Sequence, residues 1–113
     1  MQKVYFITDG YNVKIGHTHG KVIDRLRQLQ TGSASQLYCL GFIFGSIELE
    51  KELHKKFGHL KVRNSNKEWF VPDDNLLDYL NKNNQSNVFV DYRNRKLYAY
   101  NKLDRIVSEN RKK

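Results

Sequence analysis

The fold is decided by the segment from residue 3 to residue 17, which reads KVYFITDGYNVKIGH. Residues 3–8 are rich in β-branched and aromatic side chains, which favour a strand. Asp9-Gly10 is a strong hairpin signal, and residues 12–17 resume an alternation of apolar and polar side chains. We therefore predict that the chain opens with an antiparallel β-hairpin.

The rest of the chain contains the patterns of three helices, further strands and a second hairpin. Ser46 is a candidate N-cap of the second helix. The elements predicted after the first hairpin are helices over residues 22–29, over residues 47–57 and from Asp73 or Asp74 to Leu80, and strands over residues 37–44, 68–71, 88–92 and 96–100. We predict an α/β (α+β) fold with a small, mainly antiparallel three-stranded sheet flanked by helices, a C-terminal β-hairpin and a basic helix or tail.

The composition describes one small basic domain. Hydrophobic residues make up 39% of the 113 residues, and 20 Lys and Arg against 12 Asp and Glu give a net charge of +8. This charge favours an acidic partner, with DNA the first candidate. No stretch approaches the ~18 apolar residues of a membrane span, and we expect neither a secretory signal nor a membrane partner. The single cysteine, Cys39, excludes an internal disulfide and favours an intracellular location.

The positive charge is concentrated towards the end of the chain. Residues 88–113 hold eight basic and three acidic residues, a net charge of +5. This segment is either a solvated surface or a strip that contacts nucleic acid, and its composition alone does not separate the two.

Glu50 is unusual because it lies on the packing face of the second predicted helix. At about 100° per residue, Leu49, Leu53 and Phe57 form an apolar stripe, and Glu50 projects beside Phe57. A carboxylate in that position is costly unless it is paired or binds a metal. Glu50 is therefore either a metal ligand or the partner of a buried arginine.

Several other residues indicate little about function when taken singly, but more in combination. Arg25 borders the apolar face of the first helix, where an arginine is usually solvated or paired with a carboxylate. The combination is Tyr5, then Lys14-Ile15-Gly16-His17, then Arg25, then Glu50 with His54 and Phe57, then Glu68-Trp69-Phe70.

This combination resembles the GIY-YIG nuclease superfamily, and in particular its small phage- and virus-associated branch, over residues 3–71. Lys3-Val4-Tyr5 stands where the superfamily has Gly-Ile-Tyr, and Lys14-Ile15-Gly16 stands where it has Tyr-Ile-Gly. Some restriction enzymes of the superfamily also have a lysine at the second motif, followed three residues later by a histidine. Residues 1–71 would then form the nuclease core, and residues 72–113 an extension packed on the same domain.

The resemblance implies hydrolysis of a DNA phosphodiester with one divalent metal, Mg²⁺ or Mn²⁺. Tyr5 would activate the attacking water, Arg25 would bind the scissile phosphate and Glu50 would hold the metal. By the same resemblance Lys14 would lower the pKa of Tyr5, and His17 would orient the tyrosine. His54, one turn after Glu50, is expected to support the metal or the phosphate, and Trp69 is expected in the core rather than in a base-stacking role. The further cations expected to contact DNA are Lys21, Arg27, Arg93, Arg95 and Lys96.

The predicted function is therefore a metal-dependent DNA endonuclease in a bacterium or in a virus- or phage-infected cell. Two alternatives remain: a catalytically silent DNA-binding module derived from such a nuclease, and a basic virion or nucleoid structural protein. One active site cuts one strand, so double-strand cleavage would need a homodimer or two events. The alternatives differ in whether Tyr5, Lys14, Arg25 and Glu50 converge.

Overall fold

The computed structural model describes residues 1–63, 68–101 and 103. The strands are β1 (Lys3–Thr8), β2 (Val13–Thr18), β3 (Tyr38–Phe44), β4 (Trp69–Phe70), β5 (Val88–Arg93) and β6 (Lys96–Asn101). The helices are α1 (Val22–Thr31), α2 (Ile47–Lys56) and α3 (Asp74–Asn83), with a 3₁₀ turn at Gly58–Leu60. Within these described residues, no helix has the length and apolar character needed to cross a membrane. The predicted basic tail falls on residues 104–113 and lies outside the described residues.

The main sheet has four strands in the order β3-β1-β2-β4, and every neighbouring pair is antiparallel. The β1–β2 hairpin pairs Tyr5 with Gly16 and Ile7 with Lys14. The mixed α/β fold is confirmed, but the sheet has one strand more than the three predicted. The fourth strand is β4, which matches the strand predicted over residues 68–71 and pairs with only two residues of β2.

Both faces of the sheet are covered. Residues alternate sides along each strand, so each strand contributes side chains to both faces. One face carries Val4, Phe6 and Ile15 and packs against α2, α3 and β5. The opposite face carries Tyr5 and Ile7 and packs against α1. The central strand β1 is therefore buried on both sides, and it presents Tyr5 to the α1 layer.

The helix ends differ in detail from the prediction. Asp73 is the N-cap of α3, since its side chain accepts a hydrogen bond from Leu76 N at 2.9 Å. Ser46 does not cap α2 through its side chain, because its hydroxyl donates to the Glu48 carboxylate instead. The third helix also continues three residues past Leu80, to Asn83.

Asn84, directly after α3, joins three parts of the fold. Its side-chain oxygen accepts from Phe42 N at 3.2 Å and from Ser86 N at 3.0 Å. Its amide nitrogen donates to Leu40 O at 3.3 Å and to Val88 O at 2.9 Å. The side chain is buried, so one polar group links the end of α3 to β3 and to the second hairpin.

We expect Asn84→Ala to destabilise the protein by about 2–4 kcal/mol, because it leaves several buried backbone groups without a partner. Asn83→Ala is the matched control, since the Asn83 side chain is exposed and bonds only to Tyr79 O within its own helix. Urea unfolding of both variants measures the difference. Equal stability of the two variants would contradict the role given to Asn84.

Candidate active site

Tyr5 and Arg25 form the first half of the candidate site. Tyr5 is only 1% exposed, and its hydroxyl accepts a hydrogen bond from Arg25 Nε at 3.4 Å. Arg25 Nη1 also donates to the Gln28 side-chain oxygen at 3.1 Å, three residues further along α1. The guanidinium is thus fixed between the strand tyrosine and a helix glutamine.

Gly16 makes room for this tyrosine across the strand pair. A Cβ at position 16 would lie 2.2 Å from the Tyr5 hydroxyl oxygen, a distance at which the two atoms would overlap. The ring of Tyr5 therefore lies over the glycine backbone. The glycine of the Lys14-Ile15-Gly16 motif is required by this close approach.

Burial of the ring is the main cause that raises the pKa of Tyr5 above its ordinary value. The hydrogen bond and charge of Arg25 act in the opposite direction, and the charges of Glu68 and Glu50 add to the rise. The phenol is therefore protonated at neutral pH. The prediction that Lys14 lowers this pKa is not what the structure shows, since Arg25 is the cation in contact with the hydroxyl.

Lys14 points to the same face of the sheet as Tyr5 but has other partners. Its Nζ lies 3.2 Å from Glu68 Oε2 and 5.7 Å from the centre of the Trp69 ring. Both partners belong to the segment that forms β4, directly beside Lys14 in the sheet. Lys14 therefore holds the Glu68-Trp69 segment against β2.

Glu50 and His54 form the second half of the site, on α2. Glu50 is 8% exposed, and its Oε1 lies 3.7 Å from His54 Nε2. The same nitrogen donates to Ile15 O at 2.8 Å, so the His54 ring carries a proton on Nε2. The imidazole thereby fixes α2 to the outer edge of β2 and keeps Glu50 at that edge.

Burial is the main cause that raises the pKa of Glu50, and the charge of Glu68 raises it further. The charges of His54, His17 and Lys14 oppose this rise. In the part of the chain that the structure describes, no arginine pairs with Glu50. The interpretation of Glu50 as the partner of a buried arginine therefore finds no support there.

His17 lies on the other face of the sheet from Tyr5, because it is paired with Val4 in the β1–β2 register. Its Nε2 donates to the Gln2 side-chain oxygen at 2.8 Å. The prediction that His17 orients Tyr5 is therefore not supported by its contacts. Its charge acts on Glu50 instead.

Both halves of the site have a contact with β2, since the Tyr5 ring lies over Gly16 and His54 bonds to Ile15 O. The short β4 pairs only with Val13 and Lys14, which leaves Gly16 beyond the last strand partner. Glu50 acts electrostatically on Tyr5, and Lys14 acts on Glu50. That Tyr5, Lys14, Arg25 and Glu50 converge on one cleft stays a prediction of the nuclease hypothesis.

The other cations predicted to contact DNA lie in two places. Lys21, the N-cap residue of α1, and Arg27, on α1, are exposed, and Arg27 pairs with Asp24 at 3.8 Å. Arg93, Arg95 and Lys96 are exposed at the tip of the second hairpin. This hairpin contacts the turn between β1 and β2, five residues from Tyr5 and so about 17 Å along the strand.

Sequence reasoning did not assign two residues of the region. Gln28 is one helical turn from Arg25, a spacing that places the two side chains side by side. The sequence indicates Glu68 only as part of the Glu68-Trp69-Phe70 triplet and gives it no role of its own. In the structure, its charge acts on both Tyr5 and Glu50. The contact with Lys14 depends on a pairing between distant strands.

The donor set can be tested against the metal that the resemblance implies. Among the described residues, no group of three or more His, Cys, Asp or Glu side chains could hold a metal ion. A zinc site is therefore not formed there. Mg²⁺ fits better, because it needs only one or two carboxylates and retains water or phosphate as its other ligands. Glu50 would be the protein ligand, since Glu68 already pairs with Lys14.

The described residues define a class of fold, a small mixed α/β domain with an antiparallel sheet and a C-terminal hairpin. Comparison with protein-family models gives the family, since residues 2–84 match the T5orf172 domain. The match covers well over half of the 113 residues, so the chain belongs to the T5orf172 domain family of phage-associated, nuclease-type domains. Comparisons with curated proteins and with solved structures gave no match.

We expect Glu50→Gln to raise the melting temperature at pH 7 in the presence of a chelator. Because the pKa of Glu50 is raised in the folded state, the ionised carboxylate destabilises the fold, and the neutral amide does not. The advantage of the variant should disappear as the pH falls from 7 to about 4, where the glutamate itself is neutral. Thermal melts over this range measure it.

Glu52→Gln is the matched control, since Glu52 lies on the same helix and is exposed. It should change the melting temperature little at any pH. A large loss of stability in Glu50→Gln at pH 7 would instead show that the carboxylate makes a stabilising ion pair.

Proposed function

We propose that this protein is a GIY-YIG-type endonuclease that hydrolyses DNA phosphodiester bonds with Mg²⁺ or Mn²⁺. The observation that carries the proposal is the contact between Tyr5 and Arg25 at 3.4 Å, in the same electrostatic cluster as Glu50. A base, a phosphate-binding cation and a metal-binding carboxylate are the three groups that such a reaction needs.

Arg25 is the proposed phosphate-binding group. Its hydrogen bonds to Tyr5 and Gln28 use two of the five N–H donors of a guanidinium. The remaining donors suit the oxygens of a phosphate, which a planar guanidinium binds in a bidentate manner. Arg25 would then place the scissile phosphate next to the Tyr5 hydroxyl.

Tyr5 is the proposed general base, and it would accept the proton of the attacking water. Its raised pKa means that only a small fraction is ionised at neutral pH. Activity should therefore be low near pH 7 and should increase in alkaline solution. Glu50 would hold the metal, whose charge stabilises the oxyanion that leaves the phosphorus.

A catalytically silent DNA-binding module is the second candidate, and two observations favour it. Lys14, which replaces a motif tyrosine, is engaged by Glu68, and burial holds Tyr5 in its protonated form. In this case Arg25 and the exposed cations would bind the DNA backbone without cleavage. Incubation of supercoiled plasmid with Mg²⁺ or Mn²⁺, with and without chelator, separates the two candidates.

In that assay we expect Glu50→Gln and Tyr5→Phe to reduce nicking by about two orders of magnitude or more. Filter binding of Glu50→Gln should show unchanged or tighter DNA binding, because one negative charge is removed near the phosphate. Glu52→Gln is the control for both measurements. Nicking by Glu50→Gln at the parental rate would reject Glu50 as the metal ligand.

The pH dependence gives a further readout in the same assay. If Tyr5 is the base, the nicking rate should rise about tenfold per pH unit between pH 7 and pH 9, because the ionised fraction of a group titrating above this range rises in that proportion. No nicking by the parent at any pH, with or without metal, would favour the silent binding module.

The tip of the second hairpin is a proposed contact with the DNA backbone. Asn94 and Arg95 have φ values of +51° and +66°, the signature of a type I′ turn. Glycine is favoured at the second of these positions, and a residue with a side chain there is strained. Arg95 thus keeps a cation at the tip at some cost in stability.

We expect Arg95→Gly to stabilise the protein by about 0.5–1 kcal/mol, by relief of the strained φ. The same change should weaken DNA binding and reduce the slope of log affinity against log salt by about one. Asn94→Gly is the matched control, because it alters the same turn and retains the charge. Unchanged DNA binding by Arg95→Gly across salt concentrations would show that the tip is only a solvated surface.

A further inference from the structure

A cleft of about 450 Å³ lies between the end of α1 and β4. It is lined by Lys14, Gln28, Leu29, Ser33, Leu37 and Trp69, among others. We propose that this cleft binds an unpaired nucleobase of the DNA strand whose phosphate is held by Arg25. The proposal deepens the proposed function and rests on it, because it takes the phosphate position from Arg25.

The cleft is continuous with the proposed phosphate site. Gln28 lines the cleft, and its side-chain oxygen accepts from Arg25 Nη1 at 3.1 Å. Arg25 in turn contacts the Tyr5 hydroxyl at 3.4 Å. One side chain therefore separates the cleft from the guanidinium, so a base attached next to the bound phosphate is in reach of the cleft.

The chemistry of the cleft suits a base. Trp69 is half-buried and, with Leu29 and Leu37, provides an aromatic and apolar lining. Such a surface stacks against the face of a nucleobase without regard to its identity. Gln28 brings a carboxamide with both donors and an acceptor, which can bond to the edge of a base. The cleft also falls within the size range of small-ligand pockets, about 300–1,000 Å³.

Lys14 gains a definite role in this arrangement. It lies at the rim of the cleft, with its Nζ 5.7 Å from the centre of the Trp69 ring and 3.2 Å from Glu68. Its charge would attract the sugar-phosphate chain that enters beside the tryptophan. The lysine that replaces a motif tyrosine would then act on the bound strand rather than on Tyr5.

The recessed position of the Trp69 ring determines which class of DNA the cleft would bind. A base inside a duplex is stacked and paired, so it must leave the stack before it can contact a recessed ring. The favoured substrate therefore has an unpaired nucleotide at the scissile phosphate, as in a single strand, a gap or a bubble. A fully paired duplex should bind through its backbone alone.

The chain provides its own probe, because Trp69 is the only tryptophan. The full-length protein is titrated, in chelator to prevent cleavage, with a single-stranded oligothymidylate. A strand of equal length and charge that lacks bases and a fully paired duplex are titrated in parallel. We expect tryptophan emission to change with the base-containing strand and affinity to be about tenfold lower for the abasic strand.

Two variants, with one control, test whether the base binds in this cleft. Gln28→Ala should reduce the ratio of affinities for the base-containing and the abasic strand, whereas Gln85→Ala, which changes an exposed glutamine after α3, should leave that ratio unchanged. Trp69→Phe retains an aromatic ring for the core and should lower the ratio only in part. Fluorescence anisotropy of labelled strands measures all three ratios.

Equal affinity for the two strands would overturn the proposal, as would a base preference without any change in tryptophan emission. These results are distinguishable from failure of the endonuclease. A protein that nicks plasmid without a base preference refutes only the cleft, and a protein with the preference that never nicks refutes only the chemistry.

Discussion

The close approach of the Tyr5 ring to the backbone of Gly16 is the contact on which the sheet and the candidate site both depend. The central strand β1 is buried on both sides, and a tyrosine fits there only because its strand partner has no side chain. The same packing carries the hydroxyl to Arg25 on α1. A larger residue at position 16 would therefore displace the ring and separate the two groups that define the first half of the site.

The region carries charges of both signs that compensate one another only in part. Glu50 and Glu68 raise the pKa of the buried phenol, and Glu68 also raises the pKa of Glu50. Arg25 opposes the first effect, and His54, His17 and Lys14 oppose the second, each only in part. Glu68 pairs with Lys14 at 3.2 Å, whereas the ionisable partner of Glu50 among the described residues is His54 at 3.7 Å. Glu50 lies on α2 and Arg25 on α1, the helices that cover opposite faces of the sheet.

The sequence predicts the local features well and the distant pairings poorly. The alternation of residues 3–17 and the Asp9-Gly10 turn were sufficient for the hairpin, and the helical stripe of α2 was sufficient to place Glu50 on the packing face. The contact of Lys14 with Glu68 was out of reach, because it depends on β4 joining β2 from more than 50 residues away. His17 was misplaced for a different reason. The two-residue repeat of a strand puts it on the opposite face from Gly16 and Tyr5. The resemblance to known nucleases instead implies a place beside Tyr5.

The unpaired edges of the sheet bear on the addition of strands from another chain. An open strand edge is a template for another strand, and proteins commonly cover or interrupt such edges. Here His54 bonds to Ile15 O on β2, while Asn84 and Gln85 bond to the Phe42 backbone on β3. Side chains and a loop thus occupy positions at which an incoming strand would bond. Addition of a strand at these positions of β2 and β3 is therefore obstructed.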